Sequence, residues 1–484
     1  MGVGNAGKVW VPHEYQSTTE KFIYANTIAK GRPYGAALFL DPGLGKTSIC
    51  LNAISFLRQF GYIRRALVIA PKRVATNVWP LERQNWQNFQ HLSMGVAVGS
   101  PRRRKQILDM PYDVHVMTRD GVKWLADITK GFKGRLPWDL IIIDESTSFK
   151  TWGADRSKAL RKLIPKIPFR IILTGTPAPK DLGDLYGQLW LLDEGEALGE
   201  NVTAFRHRYC SHEKDTIYAK GGVPREITAT KVREDMVPAL QAAIQPLCLR
   251  LDARDHLSMP DIVYQDVLVD LPAGARRKYE EAEKELFLAA EEGERNIANT
   301  AALYGVCRQI ANGGLYGNNR EMLYIHDEKT DALLEVIEEL HDKPVLIPYL
   351  FGHDAYRVGK KLHGVSVING GMKPREFDAV IAGWNDGTLN PPHLMVQPQA
   401  MSFGINMQYG TGRDIFWYGM TDRLDDYLQL NARIWRQGVD STVRIHRCIA
   451  KDTIDEMVRD RTDGKFDVQT SLLESLKKYR EGKR

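Results

Sequence analysis

The sequence predicts an α/β protein of two lobes, each a mostly parallel sheet with helices on both faces. Short apolar runs typical of buried strands alternate with segments of helical periodicity through most of the 484 residues. Several of these runs are apolar without interruption, as Leu140–Ile143 is, which is typical of strands covered on both faces. A chain of this length exceeds a single core, so we expect two or three domains.

The pattern divides the chain into four parts. Strand and helix patterns alternate over residues 1–192 and again over 271–455, and we expect each range to form one lobe. The stretch 193–270 looks helical and irregular, so it is predicted to be an insertion and linker. Residues 456–484 are expected to form a basic helical tail.

Composition and charge are those of a globular protein with a slight basic excess. The formal net charge is +6, which permits a polyanionic partner without requiring one. The five cysteines are scattered without a C-x-x-C pair, which disfavours a zinc ribbon or a disulfide framework. No apolar run approaches about 18 residues and the start of the chain lacks a signal-peptide core, so we expect no membrane contact and a cytoplasmic location.

The N-terminal lobe contains the turn D-P-G-L-G-K-T-S at 41–48, between an apolar strand pattern and a helix pattern from Thr47 to Phe60. Glycines let backbone N–H groups converge on phosphate oxygens at a helix N-terminus, and the lysine reaches the β- and γ-phosphates. The Thr47 hydroxyl is placed to hold Mg²⁺. Because Leu40 stands where the strict phosphate-loop pattern has glycine, an ordinary tight turn is the alternative. The residues expected to bind the nucleotide here are Gly43, Gly45, Lys46, Thr47 and Ser48.

Two acids follow the apolar strand Leu140–Ile143, where ligands collect in open parallel sheets. Beside a phosphate loop both acids have a chemical role. Asp144 is expected to hold Mg²⁺, and Glu145 to orient or deprotonate the attacking water. Without such a loop, an acidic strand end that caps the next helix would be the simpler interpretation. Together the two motifs predict a nucleoside triphosphatase.

Three further strand patterns end in polar turns. Lys72 and Arg73 follow one of them and Thr118 ends another, so these side chains either meet a nucleic-acid backbone or belong to solvated loops. Thr174 and Thr176 lie in the turn L-T-G-T-P, which either senses the γ-phosphate and passes the change onward or is a simple Gly-Pro turn.

The C-terminal lobe has no phosphate loop of its own and carries Q-x-x-x-R-I-W-R-Q-G instead. Arg433 and Arg436 are three apart on a predicted helix, so both guanidinium groups would share one face. A bidentate, permanently charged donor of this kind stabilises the transition state of phosphoryl transfer. A surface helix with ordinary arginines is the alternative.

In order, these motifs resemble those of the superfamily 2 helicases. More narrowly, the chain is similar to the Swi/Snf-like DNA-dependent ATPases, especially short phage-encoded members. The motifs that carry this similarity are Gln16, G-L-G-K-T, P-K-R with N-x-W-x-x-E after it, D-E-S-T, L-T-G-T-P, G-I-N-M and Q-x-x-x-R-I-W-R-Q-G. The resemblance spans roughly residues 10–455. It implies two RecA-like lobes with ATP and Mg²⁺ bound between them and nucleic acid lying across both.

The resemblance also implies a role for each matching position. Adenine contact falls to Gln16 and further nucleotide contact to Gly404, and the coupling of hydrolysis to movement falls to Thr174 and Thr176. Arg436 would be the arginine finger, with Arg433 beside it. Duplex DNA would lie along Lys72, Thr118 and Ser402.

Three positions depart from the family pattern. Leu40-Asp41-Pro42 stands where relatives have an acidic pair before the loop, and Ser146-Thr147 replaces the Ala-His or Gly-His of many relatives. The last motif ends R-Q-G-V instead of R-x-G-Q.

The sequence therefore predicts an ATP-dependent DNA helicase or duplex-DNA translocase, acting through the phosphate backbone and monomeric in isolation. The host cytoplasm is the expected location if the chain is phage-encoded. Two alternatives stay open: an RNA helicase of the same superfamily, and a motor subunit that acts as a DNA-binding module in a restriction or recombination assembly.

Overall fold

The computed structural model describes residues 8–28, 35–175, 177–178, 182–218, 224–291, 297–317, 319–401 and 405–463. Side chains are described for these residues except within 212–231 and 290–298. The chain forms two compact units. One holds residues up to 212 together with 230–257, and the other holds 213–229 and residues from 258 onward.

The first unit is built on a seven-stranded sheet in the order β3-β4-β2-β5-β6-β1-β9, with every neighbouring pair parallel. β7 and β8, most of whose residues belong to the second unit, pair with each other in a separate two-stranded sheet. The strands are β1 (Gly35–Leu40), β2 (Ala66–Ala70), β3 (Met94–Ala97), β4 (Val114–Thr118), β5 (Leu140–Asp144), β6 (Phe169–Thr174), β7 (Cys210–Tyr218), β8 (Pro224–Val232) and β9 (Cys248–Leu251).

Helices connect these strands, as a parallel sheet requires. They are α1 (Glu14–Thr27), α2 (Lys46–Gln59), α3 (Trp79–Asn85), α4 (Pro101–Asp109), α5 (Val122–Ile128), α6 (Asp155–Leu163), α7 (Asp184–Asp193), α8 (Val202–Tyr209), α9 (Val237–Ile244) and α10 (Ala253–His256). A π-helical turn, Val74–Val78, runs directly into α3. Every residue of β1, β2 and β5 is buried, which explains why their sequences are apolar without alternation.

The second unit repeats this construction around a six-stranded sheet, β10-β17-β16-β13-β15-β14, again parallel throughout. Its strands are β10 (Ile262–Val269), β11 (Gly314–Tyr316), β12 (Met322–Tyr324), β13 (Val345–Pro348), β14 (Ser366–Ile368), β15 (Leu394–Val396), β16 (Asp414–Trp417) and β17 (Val443–Ala450). β11 and β12 form a small antiparallel hairpin. Its helices are α11 (Ala273–Glu291), α12 (Ile297–Asn312), α13 (Glu328–Glu339), α14 (Gly352–Lys361), α15 (Pro374–Asp386), α16 (Leu424–Asn431) and α17 (Ile454–Thr462).

The stretch 193–270 differs from its prediction as helical and irregular, because it contains four strands. β9 pairs with β1 at the edge of the first sheet, and β10 pairs along its whole length with β17 in the second. Both are edge strands, and β10 is largely exposed, so neither shows the continuous apolar run that marks the central strands. The predicted basic tail begins within α17, and its residues from 464 lie outside the described residues.

Within the described residues, none of the helices combines the length and the apolar character needed to cross a bilayer.

Candidate active site

Polar residues from several strands meet at the carboxyl edge of the first sheet. Because all seven strands are parallel, the residues that follow β1, β5 and β6 lie at the same edge. β6 lies between β5 and β1, with Asp144 opposite Leu173 and Thr174 opposite Phe39. The turn 41–45, the acidic strand end and the hydroxyl turn are therefore adjacent.

The turn between β1 and α2 needs glycine at two positions. Gly43 has φ of 96° and Gly45 has φ of 77°, the left-handed region that side chains rarely adopt. A Cβ on Gly45 would also lie 2.5 Å from Nε2 of Gln16. Gly45 is the N-cap of α2, so the backbone N–H groups of the first turn of this 14-residue helix lie at the turn. Such N–H groups lack intrahelical acceptors and suit an anion.

Two backbone carbonyl groups at the start of the turn hold the ammonium group of Lys46. Its Nζ donates hydrogen bonds to the carbonyl oxygens of Leu40 at 2.7 Å and Asp41 at 3.2 Å. The Asp41 carboxylate in turn accepts a bond of 3.1 Å from the backbone N–H of Ala253, at the start of α10. The departure from the family pattern at Asp41 therefore has a structural use, since it ties the turn to the segment after β9.

Gln16 lies in the first turn of α1, which begins at Glu14. Its Oε1 accepts from the backbone N–H of His13 at 3.0 Å, which caps the helix, and its Nε2 donates to the Leu44 carbonyl at 3.2 Å. With 4% of its surface exposed, Gln16 joins the N-terminal helix to the turn. Its contact with adenine stays a prediction.

Asp144 is 7% exposed, and its Oδ2 accepts a hydrogen bond of 3.0 Å from Nε1 of Trp79. Burial raises the pKa of Asp144, while the Trp79 bond and the charge of Lys46 oppose the rise. The next residue, Glu145, has φ of 56° and ψ of 60°. Left-handed backbone at a residue other than glycine costs about 1–2 kcal/mol and is concentrated at functional sites.

The Ser48 side chain is bonded to α3. Its hydroxyl donates to Glu82 of α3, whose Oε1 also accepts a 2.8 Å bond from Nε1 of Trp86. Sequence reasoning missed the parts played by Trp79 and Glu82, although their spacing in N-x-W-x-x-E places them on one helical face.

The hydroxyl turn packs directly on the phosphate loop. A Cβ on Gly175 would lie 3.4 Å from both the Leu40 carbonyl oxygen and Cδ of Pro42, so the two turns approach closely. Thr174 ends β6 and is fully buried. Thr176 lies outside the described residues.

The nucleic-acid candidates of the first unit share the same sheet edge. β2 and β4 are neighbours with Ala70 opposite Thr118, so the turn after β2 lies beside the end of β4. Lys72 is exposed, and Arg73 and Thr118 are half-buried. Ser402, the fourth candidate, lies outside the described residues.

Arg433 and Arg436 do not lie on a helix, which corrects the prediction. α16 ends at Asn431, and the chain continues in tighter turns, with Arg433 N bonded to Leu430 O at 2.9 Å. Nε1 of Trp435 donates to the Pro260 carbonyl at 2.8 Å and fixes this turn.

The two arginines nevertheless contact the same short segment. Nη1 of Arg433 donates to the Ile405 carbonyl at 3.2 Å, and Nη1 of Arg436 donates to the side-chain oxygen of Asn406. The structure thus brings together G-I-N-M and R-I-W-R, two motifs that are distant in sequence. Gly404, which precedes this segment, lies outside the described residues.

The donor atoms of the first unit suit Mg²⁺ together with a triphosphate. No group of three His, Cys, Asp or Glu side chains in the described part of the chain forms a self-sufficient metal site. Mg²⁺ is usually held by one or two carboxylates plus phosphate oxygens and water, and it prefers hard oxygen donors. The carboxylate of Asp144 and the hydroxyl of Thr47 are donors of this kind, and the glycines of the turn let a phosphate approach its backbone closely.

Comparison with known proteins decides the family. The model of the SNF2-related domain matches residues 15–313, which is more than half of the chain. The chain belongs to this family. The resemblance inferred from the motifs is confirmed, as are the two lobes built on parallel sheets and the class of nucleic-acid-dependent ATPases.

Three relatives illustrate the range of the family. Protein p41 of Acyrthosiphon pisum secondary endosymbiont phage 1 is 33% identical over 90% of this chain and 94% of its own length. The ATP-dependent helicase/translocase candidate YwqA of Bacillus subtilis (strain 168) is 25% identical over 91% of this chain and 47% of its own. The DNA repair and recombination protein RAD54B of Homo sapiens is 23% identical over 88% and 51%. The chain therefore spans about half the length of the latter two relatives.

Proposed function

We propose that this SNF2-family ATPase uses Mg²⁺·ATP to move along DNA, as a helicase or a duplex-DNA translocase. The observation that carries the proposal is the gathering, at one sheet edge, of the Lys46 turn, the Asp144–Glu145 strand end and the Lys72 and Thr118 strand ends. A triphosphate site and a polyanion site on neighbouring strands can be coupled by small movements of that edge. The name of one relative, a DNA repair and recombination protein, supports DNA as the partner, and that of another, a helicase/translocase, supports movement.

In this proposal the first unit binds and orients the triphosphate. The N–H groups at the start of α2 and the Lys46 ammonium bind phosphate oxygens, and Thr47 and Asp144 hold Mg²⁺. Bound Mg²⁺ neutralises charge that develops on the phosphate oxygens. Glu145 orients the attacking water and accepts its proton, and its left-handed backbone sets the direction of its side chain.

The remaining assignments follow the family pattern and are part of the same proposal. Arg433 and Arg436 supply guanidinium groups to the transition state, and Gln16 and Gly404 contact the nucleotide. Thr174 and Thr176 sense the γ-phosphate and couple its hydrolysis to movement. Lys72, Arg73, Thr118 and Ser402 contact the DNA backbone, so recognition depends on salt and little on base sequence.

The test is the rate of ATP hydrolysis with duplex DNA, forked DNA, single-stranded DNA or RNA, and without nucleic acid. We expect duplex or forked DNA to stimulate most, and equal rates under all these conditions would contradict the motor. A Lys46→Ala variant should lose turnover, because a phosphate ligand and the two bonds that hold the turn disappear together. Separation of the forked strands would select a helicase, and displacement of a third strand from a triplex without separation would select a translocase.

A further inference from the structure

Trp79 is a completely buried residue whose only polar side-chain atom is bonded to the proposed magnesium ligand. It has no exposed surface, and its Nε1 lies 3.0 Å from Oδ2 of Asp144. The π-helical turn after β2 leads into α3, and β2 is the direct neighbour of β5. This path brings the first residue of α3 alongside the carboxyl end of β5.

The same helix also contacts the phosphate loop helix. Glu82, three residues after Trp79, accepts the hydroxyl hydrogen of Ser48 in the first turn of α2. α3 is therefore bonded to both elements that would hold the metal. It makes each contact through a side chain of N-x-W-x-x-E, a motif to which the proposed mechanism gives no role.

A carboxylate that binds a metal is normally held by a hydrogen bond from a further residue, which fixes its orientation. An indole has one donor and no acceptor, so in this bond Trp79 is always the donor and Oδ2 is always the acceptor. Because the indole is packed on all sides, the direction of its N–H is set by the core. The contact therefore limits rotation of the Asp144 carboxylate.

We propose that Trp79 is a positioning residue for magnesium, whose indole N–H holds the Asp144 carboxylate in the orientation that Mg²⁺ binding requires. The proposal rests on the proposed function, which assigns Mg²⁺ to Asp144. Trp79 acts through Asp144, so its loss should weaken what Mg²⁺ adds to nucleotide binding and leave metal-free binding unchanged.

The experiment measures the affinity of the full chain for a fluorescent ADP analogue, with saturating Mg²⁺ and with EDTA. The ratio of the two affinities reports the contribution of the metal without any turnover. In Trp79→Phe, which keeps an aromatic ring and removes the N–H, we expect this ratio to fall by about tenfold or more, as is typical when a residue that supports a metal ligand is lost.

Trp138→Phe is the matched control. Trp138 is 3% exposed, and its Nε1 donates to Nδ1 of His115 at 3.1 Å, so the same substitution removes the same kind of buried bond. It precedes the amino end of β5, whereas Asp144 is at the carboxyl end. Its affinity ratio should equal that of the wild type.

A second measurement separates positioning from general destabilisation. In an Asp144→Asn background, Trp79→Phe should cause no further fall in the ratio, because the group it orients is gone. If Trp79→Phe does not fold, β-(3-benzothienyl)alanine at position 79 replaces the N–H by sulfur at nearly constant volume and should give the same fall.

Two results would overturn the proposal: an unchanged ratio in the folded position-79 variant, or an equal fall in the presence and absence of the Asp144 carboxylate. A wild-type chain whose affinity gains nothing from Mg²⁺ would instead contradict the magnesium role of Asp144, and the positioning role would fall with it.

Discussion

The hydroxyl of Ser146 donates a hydrogen bond of 2.7 Å to Oε1 of Gln188. Nε2 of the same amide donates to the Pro177 carbonyl at 2.6 Å, and both Ser146 and Gln188 have no exposed surface. Gln188 therefore joins the residue after the acidic pair to the L-T-G-T-P turn. Ser146 is one of the two residues that replace the Ala-His or Gly-His of relatives, and the structure shows that this departure has a partner.

Replacing Gln188 with leucine should weaken this connection. The Ser146 hydroxyl and the Pro177 carbonyl would each lose a buried partner, which costs about 1–3 kcal/mol for each group left unsatisfied. We expect a lower free energy of unfolding in urea and a smaller stimulation of ATP hydrolysis by DNA, with ATP binding retained. Ser146→Ala should relieve part of the loss in the double variant, and strictly additive effects would show that the contact is not shared.

Arg436→Ala should separate binding from hydrolysis. If Arg436 contacts only the transition state, its loss lowers the rate by about 10³-fold and leaves ATP affinity nearly unchanged. Arg375→Ala removes an exposed arginine of the same unit and should have no effect. Arg433 is 6% exposed and bonded to the Ile405 carbonyl, so Arg433→Ala should also lower stability. Full hydrolysis by Arg436→Ala would remove it from the mechanism.

Lys72→Ala should weaken DNA binding uniformly across sequences. An exposed lysine that neutralises one phosphate releases about one counterion, so the slope of log affinity against log salt should fall by about one unit. Lys130→Ala is the control, because this exposed lysine follows α5 and lies toward the amino edge of the sheet. An identical slope in the two variants would place Lys72 outside the interface.

The second unit should lose stability in acid through Asp414. Burial alone raises the pKa of this carboxyl, but His446 at 3.0 Å and Arg444 at 2.7 and 2.9 Å outweigh burial, and the pKa lies below its ordinary value. A lowered folded-state pKa contributes stability that is complete above the unfolded-state value of about 3.9 and is lost as the pH falls through the folded-state value.

Hydrogen exchange of peptides from β16 and β17 between about pH 7 and pH 2 measures this effect. Asp414→Asn should exchange faster near neutral pH and show a flatter dependence below about pH 4. Asp378→Asn, at an exposed position of α15, should follow the wild type. A wild-type profile for Asp414→Asn would show that the cluster contributes nothing to the stability of this sheet.

The central strands and their carboxyl-end residues were predictable because they depend on local information. A run such as Leu140–Ile143 must be covered on both faces, and the residue after a parallel strand must lie at the ligand edge. The glycine turn was equally local, since Gly43 and Gly45 are needed for backbone conformations that other residues resist. Edge strands such as β9 and β10 lacked this signal, because pairing with one buried neighbour leaves little trace in composition.

The sequence by itself determined the α/β class, the glycine turn before α2, the acidic strand end and the family. Only the tertiary structure decided which side chains support them. The bonds from Trp79 to Asp144, from Gln188 to Pro177 and from Ala253 to Asp41 join residues 65, 11 and 212 positions apart. A hydrogen bond depends on distance and direction in space, and a linear pattern records neither once the partners lie on different elements.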